Sequence, residues 1–221
     1  MENKFIVSSS PHIRSNEDTS YIMKQVILAL VPVAISAVYY FRISALFVMF
    51  FCILGTVGSE FLYQKLTKQK STIGDCSAIV TGLLLAFNVP ASLPWWMCIL
   101  GGVFAIIVVK MLFGGLGNNF VNPALAGRAF LLASFPVAMT AWTKTGVNWV
   151  SSGSLDAVST ATPLSFLKSG AAGLAPLKES GVSLMDMALG NIGGCVGETC
   201  AILILLGGLY LIYKGIISYI M

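Results

Sequence analysis

The stretch Leu155–Leu164, with the sequence LDAVSTATPL, contains the side chains that are best placed to do chemistry. Half of its residues are Asp, Ser, Thr or Pro, in a chain that is otherwise mostly apolar. Pro163 disfavours the helical conformation for the residue before it, so we expect Thr162 to lie extended or in a turn. The single His of the chain is His12, far away in the sequence. We therefore interpret Thr162 as a hydroxyl that another enzyme modifies, and not as a self-activated nucleophile.

On its residues alone, this stretch is also typical of an ordinary Ser/Thr-rich loop. The pattern Asp156-x-x-Ser159-Thr160-Ala161-Thr162, however, resembles the flavinylation motif of the membrane flavoproteins in the Rnf and sodium-pumping NADH:quinone oxidoreductase complexes. In that family the last Thr carries FMN through a phosphoester, attached from FAD by a separate flavin transferase. The resemblance implies covalent FMN on Thr162. The family usually has Gly where this chain has Thr160, which puts a second hydroxyl beside the acceptor.

The composition places this stretch in a polytopic membrane protein. Of 221 residues, 57% are hydrophobic and 10% are charged, and the mean hydropathy is +0.86. About five apolar segments approach the roughly 20 residues that a spanning helix needs. The sequence therefore predicts an all-α bundle in a lipid bilayer. The net charge of +4 is small and lies mostly between the apolar segments, so it predicts membrane topology and no nucleic-acid partner.

Metal chemistry is not expected within the chain. The five Cys residues include no Cys-x-x-Cys pair, and three of them lie in apolar runs. One His and scattered Cys cannot build a zinc or iron–sulfur site. We also expect no catalytic side chain of the acid–base or nucleophile type.

The hydropathy pattern divides the chain into four parts. Residues 1–22 form a polar, cytoplasmic tail, and residues 142–193 form a loop that carries the flavin motif and that the family resemblance implies to be extracytoplasmic. Between them, 23–141 form spanning helices with breaks near 78–90 and 114–123. Residues 194–221 form one more spanning helix, up to Tyr213, and the start of another.

A lysine cluster sets the expected orientation. Lys65, Lys68 and Lys70 are the densest group of positive charges, which predicts a cytoplasmic loop. We expect Glu60, close to these lysines, to reach the membrane interface. The segment 72–90 either crosses the membrane or is re-entrant. Both topologies place the same numbers of Lys and Arg on the two sides of the membrane, so charge does not decide on which side the loop 142–193 lies.

Further signatures of the same family surround the flavin motif. They are the Gly/Asn-rich run Gly114–Phe130, the segment Asn191–Thr199 and, less specifically, Ser8–Arg14. The first contains Asn122 and Arg128, which we take as further cofactor-binding candidates. An Arg inside an apolar helix needs a partner, and we expect it around 118–122 or at Glu198; a helix-end Arg that reaches the lipid headgroups is the alternative. Glu198 is either a carboxylate favoured by the helix dipole or part of an ion path.

The resemblance implies a function and a fold. Members of the family are subunits of redox-driven ion translocases in prokaryotic cytoplasmic membranes, with a urea-transporter-like fold and the flavin on the extracytoplasmic face. The short N-terminal tail favours the RnfD type, from the Rnf complex that links ferredoxin and NAD, over the NqrB type of the sodium-pumping NADH:quinone reductase. The family continues for several more helices, so a missing C-terminal part stays open.

The family also implies cofactors and partners. They are FMN, with room for a second flavin such as riboflavin, the second covalent flavoprotein of the complex, its iron–sulfur membrane proteins and the flavin transferase. Two alternatives of another class remain. A transporter or channel without redox function fits the broken helices and the Gly-rich turns, and a structural scaffold protein is the other.

Overall fold

The computed structural model describes residues 18–69, 71–142 and 184–218, and this part of the chain is helical, which confirms the predicted all-α class. In chain order the α-helices are α1 Thr19–Phe41, α2 Ile43–Leu66, α3 Ser77–Phe87, α4 Trp95–Val103, α5 Pro123–Ser134, α6 Pro136–Met139, α7 Leu184–Leu189 and α8 Ala201–Tyr213. A π-helix, Phe104–Met111, continues α4, and short 3₁₀ turns occupy Ile73–Asp75 and Val196–Thr199.

Helices α1 and α2 form the predicted antiparallel hairpin, joined at Arg42, whose φ is 52°. With 23 and 24 residues, they are the two described helices that are long and apolar enough to cross a membrane. Large apolar side chains of α2, among them Phe47, Phe50 and Phe61, point outward and are exposed by 45–61%. An apolar outer face is what contact with lipid requires, and together with the apolar composition it supports a helical membrane protein.

Helix α2 is the centre of the bundle because small residues let α3 and α4 approach it closely. A Cβ added at Gly55 would lie 2.9 Å from the Ile99 Cα of α4, and one added at Gly82 of α3 would lie 2.8 Å from the Ile53 Cα. By contrast, nothing lies within 4 Å of a Cβ added at Gly58. Of the predicted Gly55-x-x-Gly58 pair, Gly55 is therefore the one at a helix contact.

Helices α3 and α8 are too short to span a membrane, and the chain that follows α3 meets the chain that precedes α8. Helix α3 has 11 residues and α8 has 13, which correspond to about 16 and 20 Å, against roughly 30 Å of hydrocarbon. Pro90 pairs with Cys195 in an isolated antiparallel bridge, and the Val196 amide donates to the Val89 carbonyl at 3.0 Å. We call this meeting point the half-helix junction.

The predicted break at 78–90 thus lies at Asn88–Pro90, directly after α3. The last predicted helix, in the part of the chain from 194 and up to Tyr213, begins later than its first residues suggest. Residues Val196–Thr199 form a separate 3₁₀ turn, and Cys200 is extended with φ −142° and ψ 100°, so the α-helix begins only at Ala201. The α-helix does not begin in the Gly-rich segment before Ala201, because the backbone of Cys195 and Val196 pairs with the chain after α3.

The bundle has two ends, which the contacts between elements define. The first, here called the lysine end, carries Lys65, Lys68 and the turn Ile73–Asp75. The start of α1 lies there too, since the Ser20 hydroxyl donates to the Gly74 carbonyl at 3.2 Å. The end of α2 and the start of α3 therefore share this end with the beginning of the described chain.

The opposite end, here called the tyrosine end, carries Tyr39, Tyr40 and Arg42 at the hairpin turn. The segment after α6 reaches it, because the Ser92 hydroxyl donates to the Ala141 carbonyl at 2.9 Å. Ser92 in turn lines a small cavity together with residues at the start of α2. The segment 77–95 consequently runs from the lysine end to the tyrosine end.

Helix α7 also lies at the tyrosine end. Its Asp186 and Leu189 line a cavity of about 740 Å³ together with Tyr39 and Arg42. The chain therefore leaves the described structure at 142 and re-enters it at 184 at the same end of the bundle. From there it descends through the half-helix junction into α8, which packs on α1.

Candidate functional site

A fully buried ion pair lies between α2 and the π-helix. The Lys110 Nζ is 2.7 Å from the Glu60 Oε2, and their side chains are exposed by 2% and 0%. Lys110 points inward from a segment with i→i+5 backbone bonds, seen in the Leu112 amide donating to the Ile107 carbonyl at 3.1 Å. Such wider turns are rare and occur often at functional sites.

Neutral side chains complete the surroundings of both charges. The Lys110 ammonium also donates to the Ser77 hydroxyl at 2.6 Å, at the first residue of α3. The other carboxylate oxygen of Glu60 accepts from the Thr72 hydroxyl at 2.7 Å and from the Gln64 amide at 3.2 Å. Hydrogen bonds of this kind are what a buried charged pair needs to offset its loss of hydration. The network thereby fixes α2, α3 and the π-helix against one another.

A second carboxylate lies at the edge of this network. The Asp75 Oδ1 accepts from the Ser77 backbone amide at 2.8 Å and from the Ser77 hydroxyl at 2.6 Å. It caps the start of α3, where the helix dipole favours a negative charge. Ser77 thus links Asp75 to the Glu60–Lys110 pair.

The network is open to a polar cavity of about 740 Å³ at the lysine end. The cavity is lined mostly by hydroxyls, amides, glycines and charged side chains, together with two apolar ones: Asp18, Thr19, Ser20, Gln64, Gln69, Ser71, Thr72, Gly74, Asp75, Lys110, Met111, Gly114, Gly115 and Leu116. Oxygen atoms of this kind suit hard cations such as Na⁺ and not transition metals. No cluster of three or more His, Cys, Asp or Glu that could hold a metal occurs within the ranges that the structure describes.

The expectation that Glu60 reaches the membrane interface is wrong. Its carboxylate is buried, and its partner is Lys110, 50 positions away in the sequence. The lysines 65 and 68 that suggested an interface are exposed and lie beyond it on the same helix end. Because α3 and α4 pack on the face of α2 that carries Glu60, the side chain points into the bundle.

Arg128 lies in the middle of α5 and contacts the half-helix junction. Its Nη1 donates to the Asn88 Oδ1 at 3.2 Å, and Asn88 is the C-cap of α3. The Asn88 amide in turn donates to the Leu84 carbonyl at 2.8 Å. The expected partners at 118–122 and Glu198 are not the ones found within the described part of the chain. A positive charge at a helix C-terminus is favoured by the helix dipole, which provides a reason for the Asn88 contact.

Asn122 and Glu198 both cap helical turns. The Asn122 Oδ1 accepts from the Ala124 amide at 3.0 Å, with Pro123 in the first turn of α5. One carboxylate oxygen of Glu198 accepts from the Cys195 amide at 3.1 Å at the start of the 3₁₀ turn, and the side chain is exposed. These contacts provide structural roles for both residues. A role of Asn122 in cofactor binding and of Glu198 on an ion path stays a prediction.

The motif residues Asp156, Ser159, Thr160, Ala161 and Thr162 lie outside the described residues. What the structure shows is where their loop begins and ends. Both flanks, at 142 and 184, lie at the tyrosine end. The loop that carries the motif therefore leaves and re-enters the described structure at the end opposite the polar cavity.

Comparison with known proteins places these features in context. The model of the NQR2, RnfD, RnfE family matches residues 6–221. The chain is 49% identical over 220 residues to the D subunit of the Na⁺-translocating ferredoxin:NAD⁺ oxidoreductase complex of Acetobacterium woodii, covering 99% of this chain and 65% of that protein. It is 45% identical over 222 residues to the D subunit of the proton-translocating ferredoxin:NAD⁺ oxidoreductase complex of Clostridium ljungdahlii, with the same coverage.

A more distant relative has the same kind of name. The chain is 36% identical over 242 residues to the D subunit of the ion-translocating oxidoreductase complex of Cronobacter sakazakii, covering 97% of this chain and 69% of that protein. The chain thus spans about two thirds of the length of these relatives. The flavin motif, the buried ion pair and the half-helix junction all fall within the matched residues 6–221.

Proposed function

Because the chain belongs to the NQR2, RnfD, RnfE family, we propose that it is the RnfD component of a redox-driven cation pump that links ferredoxin and NAD. In this proposal the chain relays electrons through FMN that is bound covalently to Thr162. The observation that carries the proposal is the flavinylation-like motif at 156–162, inside the matched residues 6–221. The names of the relatives support ferredoxin and NAD⁺ as the redox partners, and Na⁺ or H⁺ as the transported ion.

The flavin supplies the electron-transfer chemistry when it is bound, and the chain supplies position and field. Because Pro163 disfavours the helical conformation for Thr162, we expect the Thr162 hydroxyl to be open to a phosphoester tether. Asp156, Ser159, Thr160 and Ala161 are the surrounding motif. Both flanks of the loop lie at one end of the bundle, which supports a flavin that is tethered on that side.

The polar cavity at the lysine end is the proposed point where the transported cation enters. Glu60 is a buried carboxylate, and its counter-charge is a flexible side chain, Lys110. A cation that takes the place of the ammonium on Glu60 would find the hydroxyls of Thr72 and Ser77 in the same network. The cation would use the Glu60 carboxylate that is already present. A monovalent ion could therefore bind here without a cluster of three acidic ligands.

The two ends of the bundle support a proposal for the sidedness of the protein. We place the lysine end in the cytoplasm, because it carries Lys65 and Lys68, and the flavin loop outside. Single cysteines at Gln69 and Ser152, in a background without the native Cys, test this in intact cells with a membrane-impermeant thiol reagent. We expect labelling at Ser152 and none at Gln69. The opposite pattern would reverse the topology.

Further partners follow from this function. We propose that the chain assembles with a second covalent flavoprotein and with iron–sulfur membrane proteins of an Rnf-type complex in a prokaryotic cytoplasmic membrane. A flavin transferase loads Thr162, and a second flavin such as riboflavin is part of the proposal. The main functional alternative is the NqrB role in a sodium-pumping NADH:quinone reductase, which has another electron acceptor.

A transporter or channel without redox function is the second candidate, because α3 and α8 are short helices and the chain after α3 pairs with the chain before α8. Discontinuous helices of this type form substrate sites in many transporters. Cation uptake by membrane vesicles separates the two functions. A pump needs reduced ferredoxin and NAD⁺ for uptake, whereas a channel passes the cation along its gradient without them.

A further inference from the structure

Asp75 is a second carboxylate close to the buried lysine. The Lys110 ammonium donates to the Ser77 hydroxyl at 2.6 Å, and the same hydroxyl donates to the Asp75 Oδ1 at 2.6 Å. One hydroxyl group therefore separates the ammonium from a carboxylate other than that of Glu60, its partner at 2.7 Å. A Lys side chain has a flexible four-carbon stem, so a short movement of Nζ past the Ser77 hydroxyl would bring it to Asp75.

Asp75 also lies on the side of the network from which an ion would come. Both Asp75 and Lys110 line the polar cavity at the lysine end, whereas the Glu60 side chain is fully buried. The other carboxylate in the cavity lining belongs to Asp18, which is exposed. Asp75 is half-buried and is the lining carboxylate that the Ser77 hydroxyl joins to the buried pair.

The charges of this network are unequal in number. Two carboxylates, those of Glu60 and Asp75, share the hydrogen-bonded network with one ammonium, that of Lys110. A single monovalent cation on Glu60, with Lys110 moved to Asp75, would convert the network into two neutral pairs. If Asp75 were absent, a cation that displaced the ammonium from Glu60 would leave Lys110 as an unpaired charge inside the bundle, which is costly.

We propose that Asp75 is the alternate partner of Lys110, which receives the ammonium when a monovalent cation from the cavity takes its place on Glu60. The inference rests on the cation-pump function proposed above. In the exchange the Lys110–Glu60 contact breaks, and a Lys110–Asp75 contact and a cation–Glu60 contact form; no electron moves, and the cation is the only charge that enters. Asp75 is thus a positioning residue, because it acts through Lys110 and does not hold the transported ion.

Thermal unfolding of the full chain in detergent tests the movement of Lys110. Asp75→Asn keeps a side-chain oxygen for the Ser77 amide at the start of α3, so alone it should lose little stability. In Glu60→Gln the ammonium has lost its first partner, and we expect Asp75 to bind it. Adding Asp75→Asn to Glu60→Gln should therefore lower the unfolding temperature by roughly 5 °C more than adding it to wild type. In the Lys110→Met background, which has no ammonium, this extra decrease should vanish.

Donor-driven uptake by vesicles that contain the assembled complex is the second measurement, with ²²Na⁺ and H⁺ followed in parallel. We expect Asp75→Asn to slow uptake at least roughly tenfold, because the displaced ammonium stays unpaired, and Asp75→Glu, which keeps the charge, to restore most of the rate. Wild-type uptake by Asp75→Asn, or an equal effect of Asp75→Asn on stability in the wild-type and Glu60→Gln backgrounds, would overturn this inference alone. Absence of uptake by the wild-type complex would instead overturn the pump itself.

Discussion

Replacing Thr162 with Val is expected to abolish covalent FMN and, with it, electron transfer through the complex. Val has the size and branching of Thr but no hydroxyl, so the phosphoester cannot form. The intact mass of the protein, co-expressed with the flavin transferase, should lack the increase that corresponds to FMN minus water. Ferredoxin-dependent NAD⁺ reduction should fall to the background of membranes that lack the complex.

The matched control is Thr160→Val, two residues earlier in the same motif. It removes the hydroxyl that this chain has where the family usually has Gly, and we expect it to keep the full mass increase. A modification that survives Thr162→Val would contradict the assignment. So would fragment masses that place the flavin on Thr160.

The second large effect concerns the buried pair. Glu60→Gln or Lys110→Met alone leaves one buried charge without its partner, because both side chains are exposed by 2% or less. Loss of one partner of a buried pair costs about 3–5 kcal/mol, and we expect each single variant to unfold at a clearly lower temperature in detergent. Glu198→Gln is the control: its carboxylate is exposed and Gln keeps an acceptor oxygen for the Cys195 amide, so little stability should be lost.

The double variant Glu60→Gln/Lys110→Met separates structure from function. Without either charge the interior is again neutral, and we expect most of the lost stability to return. Cation uptake should not return, because the carboxylate that receives the cation is gone. If the double variant regained both stability and donor-driven cation uptake at the wild-type rate, the pair would be a purely structural contact and the proposed entry site would be wrong.

Most of the helical elements could be predicted from the sequence for local reasons. Arg42 interrupts two apolar runs and marks the hairpin, and the short run before Asn88-Val89-Pro90 marks a broken helix. The Gly-rich run 114–117 marks a turn: Gly114, Gly115 and Gly117 have φ values of 100°, 94° and 90°, which side chains other than that of Gly rarely adopt.

The Glu60–Lys110 pair could not be predicted in the same way. Each residue alone looks like a charge near the end of an apolar segment, and a contact across 50 positions leaves no periodic signal. The inward direction of Lys110 depends on the π-helix, for which the sequence contains no marker. Two ionisable residues of opposite sign within apolar segments were the available signal, since such residues seldom stay unpaired in a membrane.

The contact of Arg128 was missed for another reason. From the sequence we expected its partner at 118–122 or at Glu198, whereas the structure supplies a neutral amide, Asn88, at the negative end of a half-helix. The predicted break at 78–90 already offered a partner for Arg128, because the C-terminal end of a broken helix carries the negative end of the helix dipole. The α-helix α8 begins later than the sequence suggests, because part of the Gly-rich segment before it pairs with the chain after α3.

The measurement that tests the central claim most directly is donor-driven cation uptake by membrane vesicles that contain the complex, with ²²Na⁺ and proton uptake followed in parallel. We predict uptake of one of the two ions only when reduced ferredoxin and NAD⁺ are both present, with wild-type rates for Thr160→Val and no uptake for Thr162→Val. Uptake that proceeds without electron donor, or that Thr162→Val leaves unchanged, would contradict a redox-driven pump with its flavin on this chain.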